Sequence, residues 1–514
     1  MTTALLAGDP HDEALIAQVR PRDWVNPTPA KMYNLVVLGA GTAGLVAAGG
    51  AARLGARVAL IEDDLMGGDC LNVGCVPSKA LIRSAHAAWA LREAEAAGVL
   101  VERSSWRVEG RAVFERLRRL RASIAPHDSA RRFADWGVDV FLGRGRFIGP
   151  DRLEVNGATL RFRKAVLATG AGPRPLRVPG SDQVEILTNQ TVFALRDLPP
   201  RLIVAGGGPI GCELAQAFAR LGSEVTLVGR VNRLLSRDDP AAANLVAASL
   251  QRDGVVLRLG TRIERVENVD HAIKRMTIRH GQDDRIETIE AEAILAALGR
   301  APRVEGIGLE AAGVAFDPAR GAMVDDFLRT TNRAIFAAGD VASPDKFTHA
   351  AEAQARLVIR NALFAPGGLG MGRASRLVIP RCTYTDPEVA QVGLTEPEAV
   401  ARGITPRVFV HEFAEVDRSV VEGEAEGFVK LIAAPRGDRI LGATIVGRHA
   451  GELVGTITLA LTEGLGLAAL SRWIVPYPTR SDALRQAGGA SEQAFLFSPR
   501  IHRWTRRWLS WVRG

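Results

Sequence analysis

Cysteine is scarce in this chain: four among 514 residues, at Cys70, Cys75, Cys212 and Cys382. So few exclude a disulfide-stapled scaffold, and in a reducing compartment a close pair points to catalysis or metal binding. Long apolar runs are missing too. No stretch reaches the roughly 20 residues that a membrane-spanning helix needs. Residues 1–30 carry Asp9, Asp12 and Glu13 and do not read as a secretory leader, so a cytoplasmic placement is expected. There is no basic stripe with a recognisable nucleic-acid module, which argues against a nucleic-acid partner. The net charge of +8 is mostly arginine spread along the chain. It reads either as a surface suited to phosphorylated cofactors or as compositional bias. Hydrophobic content of 47% and charged content of 24% are ordinary for a globular protein, and the length allows several cores.

What the chain does have is an internal echo. Residues 34–62 read NLVVLGAGTAGLVAAGGAARLGARVALIE, and residues 201–230 read RLIVAGGGPIGCELAQAFARLGSEVTLVGR. Laid over each other, Gly39, Gly41 and Gly44 fall on Gly206, Gly208 and Gly211. Each copy runs from a short apolar stretch through a glycine turn into an alanine-rich helical stretch and a second apolar run. That pattern is a βαβ unit with the dinucleotide fingerprint. The first glycine permits the tight turn, the second lets backbone approach a pyrophosphate, and the third lets helix pack on strand. One fingerprint is weak; two in the same context are strong.

The copies differ where the second strand ends. Glu62 closes the first, where a carboxylate binds an adenosine ribose, so this copy suits FAD. Gly229 stands there in the second and Arg230 follows. Without the acid, and with an arginine able to pair with a 2′-phosphate, this copy leans toward NADPH, with NADH as the alternative. Arg230 as a solvated strand-end residue remains the other reading. Residues 165–170 (AVLATG), 293–300 (AILAALGR) and 334–340 (AIFAAGD) read as further apolar strands, and a helix is expected to begin near Thr348. Residues 364–372 look like a linker, followed by a separate α+β unit with strands in 378–391 and 427–447 and helices in 450–463 and 482–487.

Residues 67–79, GGDCLNVGCVPSK, follow the first copy directly. Two cysteines separated by four residues at a glycine-flanked helix start can close a small disulfide, and a helix N-terminus favours thiolate. Two buried free thiols are an alternative. A metal pair is another, but no further Cys or His stands at ligand spacing, so no metal site is expected.

Together these motifs resemble the class I pyridine nucleotide-disulfide oxidoreductases, over residues 33 to about 487. That family includes dihydrolipoamide dehydrogenases, glutathione reductases and mercuric reductases. Residues 213–226 and 382–396 look most like the mercuric reductases. The implied architecture is α/β: an N-terminal extension (1–32), an FAD-binding domain (33–180 and 305–372), an NAD(P)-binding domain (181–304), a dimerisation domain (373–490) and a tail (491–514). The resemblance implies that electrons pass from the nicotinamide through FAD to a disulfide of Cys70 and Cys75. Cys75 would be the flavin-proximal thiol and Cys70 the interchange thiol. Lys79 would lie near the flavin, pairing with Glu213. Gly68, Thr169, Gly170, Gly299, Arg300 and Asp340 would contact cofactor, and the helix beginning near Thr348 would aim its dipole at the flavin. The chain is expected to be a homodimer in which C-terminal residues of one subunit serve the disulfide of the other.

The pattern breaks in two places. Tyr477 stands where disulfide-reducing relatives carry a histidine acid/base, and Asp482 falls near its glutamate. A tyrosine with pKa near 10 cannot shuttle protons at neutral pH; plain interface packing is its other reading. Mercuric reductases also carry tyrosine here, but they have a C-terminal cysteine pair, and this chain has no cysteine after Cys382. The second departure is the tail, where Trp504, Trp508 and Trp511 lie at near-helical spacing among Arg503, Arg506, Arg507 and Arg513. It suits an anionic membrane surface or a cap on the dimer domain. The reading that results is an FAD-dependent NAD(P)H oxidoreductase acting on a metal ion or small thiol-reactive acceptor. Dihydrolipoamide dehydrogenase and a non-enzymatic redox-sensing flavoprotein are the alternatives.

Overall fold

The computed structural model describes residues 8–497 and 499–513. They divide into two compact units, one from residues 1–232 and 253–377, the other from residues 233–252 and 378–514.

The first unit contains both copies of the echo. In the first, strand Tyr33–Leu38 leads through the glycine turn into helix Thr42–Arg53 and strand Val58–Glu62. Val36, Val37, Leu60 and Ile61 are fully buried, as strands covered on both faces require. The parallel sheet runs Val138–Leu142, Val58–Glu62, Tyr33–Leu38, Ala158–Leu167, with Ile335–Ala337 pairing the last. Strand Ile335–Ala337 comes from far along the chain, so this sheet closes only after the second copy has been inserted. Helix Thr348–Leu363 then packs beside helix Thr42–Arg53.

The second copy is strand Arg201–Ala205, helix Pro209–Leu221 and strand Glu224–Gly229, in a parallel sheet ordered Val256–Leu259, Glu224–Gly229, Arg201–Ala205, Ala293–Ala296. An antiparallel meander of Thr261–Asn268, Lys274–His280 and Ile286–Ala291 precedes the closing strand. It has one apolar face, with Val266, Met276 and Ile278 fully buried. Its other face is laced by charge pairs such as Arg279 with Glu264 at 2.7 Å.

In the second unit, five antiparallel strands run in the order Arg381–Thr383, Glu388–Gly393, Ile440–Gly447, Phe428–Ala433, Arg407–Glu412. Helices Ala450–Thr462 and Asp482–Leu496 bury Leu453, Ile457, Leu484 and Ala487 against Leu431 and Ile445. Helix Pro240–Arg252 belongs to this unit although its sequence lies within the expected NAD(P)-binding span. The Ser249 hydroxyl donates to the Asp386 carbonyl, and Lys430 pairs with Asp239 at 2.7 Å. Helix Pro499–Val512 follows at the tail.

Candidate active site

Gly67 and Gly68 both have positive φ, +89° and +58°, and turn the chain out of the first copy into helix Gly68–Val73. That helix carries Cys70. Gly74 ends it with a non-helical backbone (φ −133°, ψ −116°), at a position where a Cβ would lie 2.6 Å from the Asp69 carbonyl oxygen. A new helix, Cys75–Glu93, starts on the second cysteine. Both cysteines are free thiols here and hydrogen-bond each other. The Thr348 hydroxyl lies 3.4 Å from Cys75 Sγ. One turn along the same helix, Lys79 Nζ donates to Glu213 Oε2 at 2.8 Å, and the Glu213 side chain is 7% exposed.

These neighbours divide the cysteines electrostatically. The hydrogen bond from Cys70 is the main cause that lowers Cys75 to about 6; desolvation opposes it, and Thr348 and the Lys79 charge add to it. The same hydrogen bond, together with burial, pushes Cys70 up. At neutral pH Cys75 is a thiolate and Cys70 a thiol. That is the division a dithiol needs if one sulfur is to be the nucleophile and the other its resolving partner.

The fingerprint turns have room for phosphates where the sequence requires it. A Cβ on Gly39 (φ +103°) would meet the Ala168 carbonyl oxygen at 2.4 Å, and one on Gly44 would meet the Gly39 carbonyl oxygen at 1.8 Å. In the second copy, Gly206 would meet Ala297 at 2.4 Å and Gly211 would meet Gly206 at 1.9 Å. Gly208, by contrast, faces open space, and Gly41 is approached only by the Cα of Gly68 at 3.7 Å. The outer glycines hold the turn together and the middle ones leave a cradle that a side chain would fill, as a bound dinucleotide needs. Glu62 ends its strand accepting the Ala40 N–H at 2.6 Å and the Asp64 N–H at 2.9 Å, and burial raises it to about 7. Gly229 holds the matching position of the second copy, and Arg230 after it is exposed, with no ion-pair partner among the described residues.

Other expected cofactor residues meet at one junction. Strands Ala171–Pro173 and Arg300–Pro302 pair antiparallel, which sets Gly170 (φ +68°) beside Arg303 at one end and Gly299 (φ +97°) beside Arg174 at the other. The Thr169 hydroxyl donates to the Arg303 carbonyl oxygen at 2.7 Å. Arg300 Nε donates to Asp340 at 3.1 Å, and its Nη2 pairs with Asp69. Asp69 and Arg303 were not singled out from sequence. Asp69 stands directly before Cys70 in the quoted motif, and the arginine that ties it to Asp340 comes from the far end of the second copy. The contact of Thr348 with Cys75 was likewise invisible, since their separation in sequence carries no local signal.

In the other unit, Tyr477 is 78% exposed and its hydroxyl donates to Asp417 at 2.6 Å. That hydrogen bond raises the phenol further above its ordinary value. Asp482 pairs with Arg485 at 2.7 Å. Cys212 is buried in helix Pro209–Leu221 and Cys382 sits on an edge strand. Among the described residues, no group of three or more His, Cys, Asp and Glu could hold a metal ion. No described helix is long and apolar enough to cross a membrane.

Residues 33–355 match the family described as pyridine nucleotide-disulphide oxidoreductase, and residues 379–488 match its dimerisation domain, which supports a homodimer. A mercuric reductase of Bacillus cereus is 35% identical over 455 residues, 88% of this chain and 71% of that protein. A dihydrolipoyl dehydrogenase of Thermus scotoductus is 35% identical over 468 residues, 90% and 97% of the two chains. Among solved structures, a Cu(II) complex of the HOCl-induced flavoprotein disulfide reductase RclA from Escherichia coli aligns with TM-score 0.77 and 26% identity, covering 90% of this chain and 100% of that one. With its cysteine pair and two dinucleotide cradles, the chain belongs to the pyridine nucleotide-disulphide oxidoreductase family, as an FAD- and NAD(P)H-using enzyme of the mercuric reductase and lipoamide dehydrogenase type.

Proposed function

We propose that the enzyme uses NADPH to reduce a thiophilic metal ion, or another small thiol-reactive acceptor, at Cys70 and Cys75. The carrying observation is Tyr477. Its phenol is held above its ordinary pKa by Asp417, so at neutral pH it gives up no proton and cannot serve a partner disulfide as an imidazole does. Disulfide substrates need that proton transfer; a soft metal ion needs thiolate ligands, which Cys75 supplies directly. The similarity to mercuric reductases and to a reductase solved with Cu(II) supports the same class.

FAD, when bound, supplies the two-electron relay between nicotinamide and cysteines. The chain's own residues do the rest. Gly39, Gly41, Gly44 and Gly68 shape the FAD cradle, Glu62 receives the ribose, and Asp340 is held by Arg300 for the ribityl–pyrophosphate region. Gly206, Gly208 and Gly211 cradle the nicotinamide cofactor. Arg230, unpaired and without a competing acid beside it, favours the 2′-phosphate of NADPH. Lys79, fixed by Glu213, keeps positive charge near Cys75 and adds to the Cys70 hydrogen bond that holds it as thiolate. Cys70 keeps its proton until the acceptor arrives. For a mercuric ion the balance is one NADPH and one Hg(II) giving NADP⁺, Hg(0) and a proton.

The test is oxidation of NADPH and NADH by the purified flavoprotein, with Hg(II) plus excess thiol in one cuvette and lipoamide in the other. Hg(II)-dependent turnover preferring NADPH is expected. Lipoamide turnover with NADH would hand the assignment to dihydrolipoamide dehydrogenase.

The tail supports a second partner, an anionic membrane surface. Along helix Pro499–Val512, helical spacing puts Trp504, Trp508, Trp511 and Val512 on one side and Arg503 and Arg506 on the other, with Arg507 at the border, Arg513 just past the helix end and no acidic residue in the helix. The three tryptophans are 53–74% exposed. Such a helix lies in a headgroup layer, its indoles in the acyl boundary and its arginines on phosphates. Full-length protein should pellet with anionic vesicles and not with zwitterionic ones, and replacing all three tryptophans by serine should release it. Dimer dissociation by that variant, without any vesicle binding by the wild type, would make the tail a cap on the dimer domain instead.

A further inference from the structure

Helix Pro10–Val19 lies ahead of the residues that match the family, yet it is built into the packing of the redox loop. Leu15 and Val19 are fully buried in the same cluster as Leu65, Met66, Leu71 and Val73. The Met66 N–H donates to the Val19 carbonyl oxygen at 3.2 Å. At the centre of the contact are two charges that water scarcely reaches. Asp12 and Arg121 are each 1% exposed. Arg121 donates from one Nη to Asp12 Oδ1 at 2.5 Å and from the other to the Asn72 carbonyl oxygen at 2.8 Å. Asn72 stands between the two cysteines in sequence. Its own amide donates to the carbonyls of Met66 and Gly68, at 3.0 and 2.8 Å. Asn189 holds the next carbonyl, that of Val73, at 3.3 Å.

A guanidinium buried this deeply is tolerated only beside a carboxylate, and here that carboxylate comes from the N-terminal extension. The loop between the cysteines would keep its local hydrogen bonds without the extension, but Arg121 would lose the partner that lets it stay.

We propose that the N-terminal helix braces the redox loop: Asp12 holds Arg121, and Arg121 holds the Asn72 carbonyl, so that Cys70 and Cys75 remain within bonding reach of each other. The proposal rests on the redox role of that pair. Asp12 and Arg121 are positioning residues and touch neither cofactor nor acceptor. Their effect is on the dithiol–disulfide equilibrium. Holding two thiols together raises the effective concentration of one at the other and favours the closed disulfide; a loosened loop favours the open dithiol.

The experiment equilibrates the full-length flavoprotein with dithiothreitol redox buffers, traps thiols by alkylation and reads the Cys70 and Cys75 peptides by mass spectrometry. The wild type is compared with the double variant Asp12→Leu/Arg121→Met, which replaces both charges by apolar groups of similar size and keeps the packing. FAD content reports whether each protein is folded. An FAD-retaining double variant should shift at least tenfold toward the dithiol, about 30 mV for this two-electron couple. Asp12→Asn, which leaves Arg121 buried without a carboxylate, should shift in the same direction. An unchanged equilibrium in an FAD-retaining double variant overturns the brace. Where the double variant loses FAD, Asp12→Asn decides by the same criterion. A wild type in which Cys70 and Cys75 form no disulfide at all would overturn the redox reading as well, an outcome distinct from failure of the brace alone.

Discussion

The two βαβ copies are the same backbone device put to different uses. Each begins with a mostly buried parallel strand, turns on a glycine of positive φ and packs its helix through a glycine whose Cβ would strike a carbonyl oxygen, at 1.8 Å in the first copy and 1.9 Å in the second. They part company at two points. The first ends its second strand in Glu62 and runs straight on into the cysteines; the second ends in Gly229 and runs into Arg230 and a helix that belongs to the other unit. In the reading proposed above, the fingerprint sets only where a pyrophosphate would sit. What the cofactor does is decided by the residue that ends the strand and by the segment that follows.

Breaking the glycines should separate the copies most sharply. Gly44→Val forces bulk into backbone that cannot move, a strain of about 1–3 kcal/mol or more, and should yield protein that does not retain FAD after gel filtration. Gly211→Val should keep FAD and its visible absorbance but raise the KM for NADPH at least about tenfold, a loss of ~1.4 kcal/mol. Equal loss of FAD in both variants would mean that the two turns are not independent sites.

The next effect is at the cysteines. Cys75 is depressed to about 6, so its thiolate persists above that pH and is lost as pH falls through it, while Cys70 stays protonated. Alkylation of the reduced protein should therefore strike Cys75 first, with a rate that rises between pH 5 and 7 around a midpoint near 6. Lys79→Met should move that midpoint up and Glu213→Gln should move it down, because the lysine charge lowers Cys75 and the carboxylate raises it. Shifts of the same sign in both variants would break this account of the thiolate. Lys79→Met also takes the Lys79 ammonium away from the buried Glu213 carboxylate, at a cost of about 1–3 kcal/mol that thermal denaturation would register.

The smallest effect concerns the strand ends. Arg230→Glu restores an acid near the position that Glu62 holds in the first copy, and should shift the ratio of kcat/KM for NADPH over NADH toward NADH by about 3- to 10-fold, a change of ~0.7–1.4 kcal/mol. An unchanged ratio would leave Arg230 as a solvated strand-end residue.

Much of this architecture was legible in the sequence because it is periodic. Two apolar strands around a glycine turn are a local pattern, and their repetition makes chance implausible. The cysteine motif is local but not repeated, and its redox roles came from the family resemblance; the residues alone left buried thiols and a metal pair open. What could not be read is non-local or buried against type. The meander of Thr261–Asn268, Lys274–His280 and Ile286–Ala291 is half solvated and rich in Arg and Glu, so its strands look like polar loop. Helix Pro240–Arg252 is a plain alanine-rich helix, and nothing in it announces which unit it joins. Tyr477 was read by position, but the Asp417 that sets its proton affinity lies on a different element. Asp12 counted in the sequence only against a secretory leader, whereas the fold sends its carboxylate to a fully buried arginine.

The central claim is that electrons reach the acceptor through Cys70 and Cys75. Its most direct test is NADPH oxidation with Hg(II) and excess thiol by the Cys75→Ser flavoprotein, at matched FAD content. The account predicts that acceptor-dependent turnover falls to background while FAD and NADPH still bind. Turnover at the wild-type rate would contradict it.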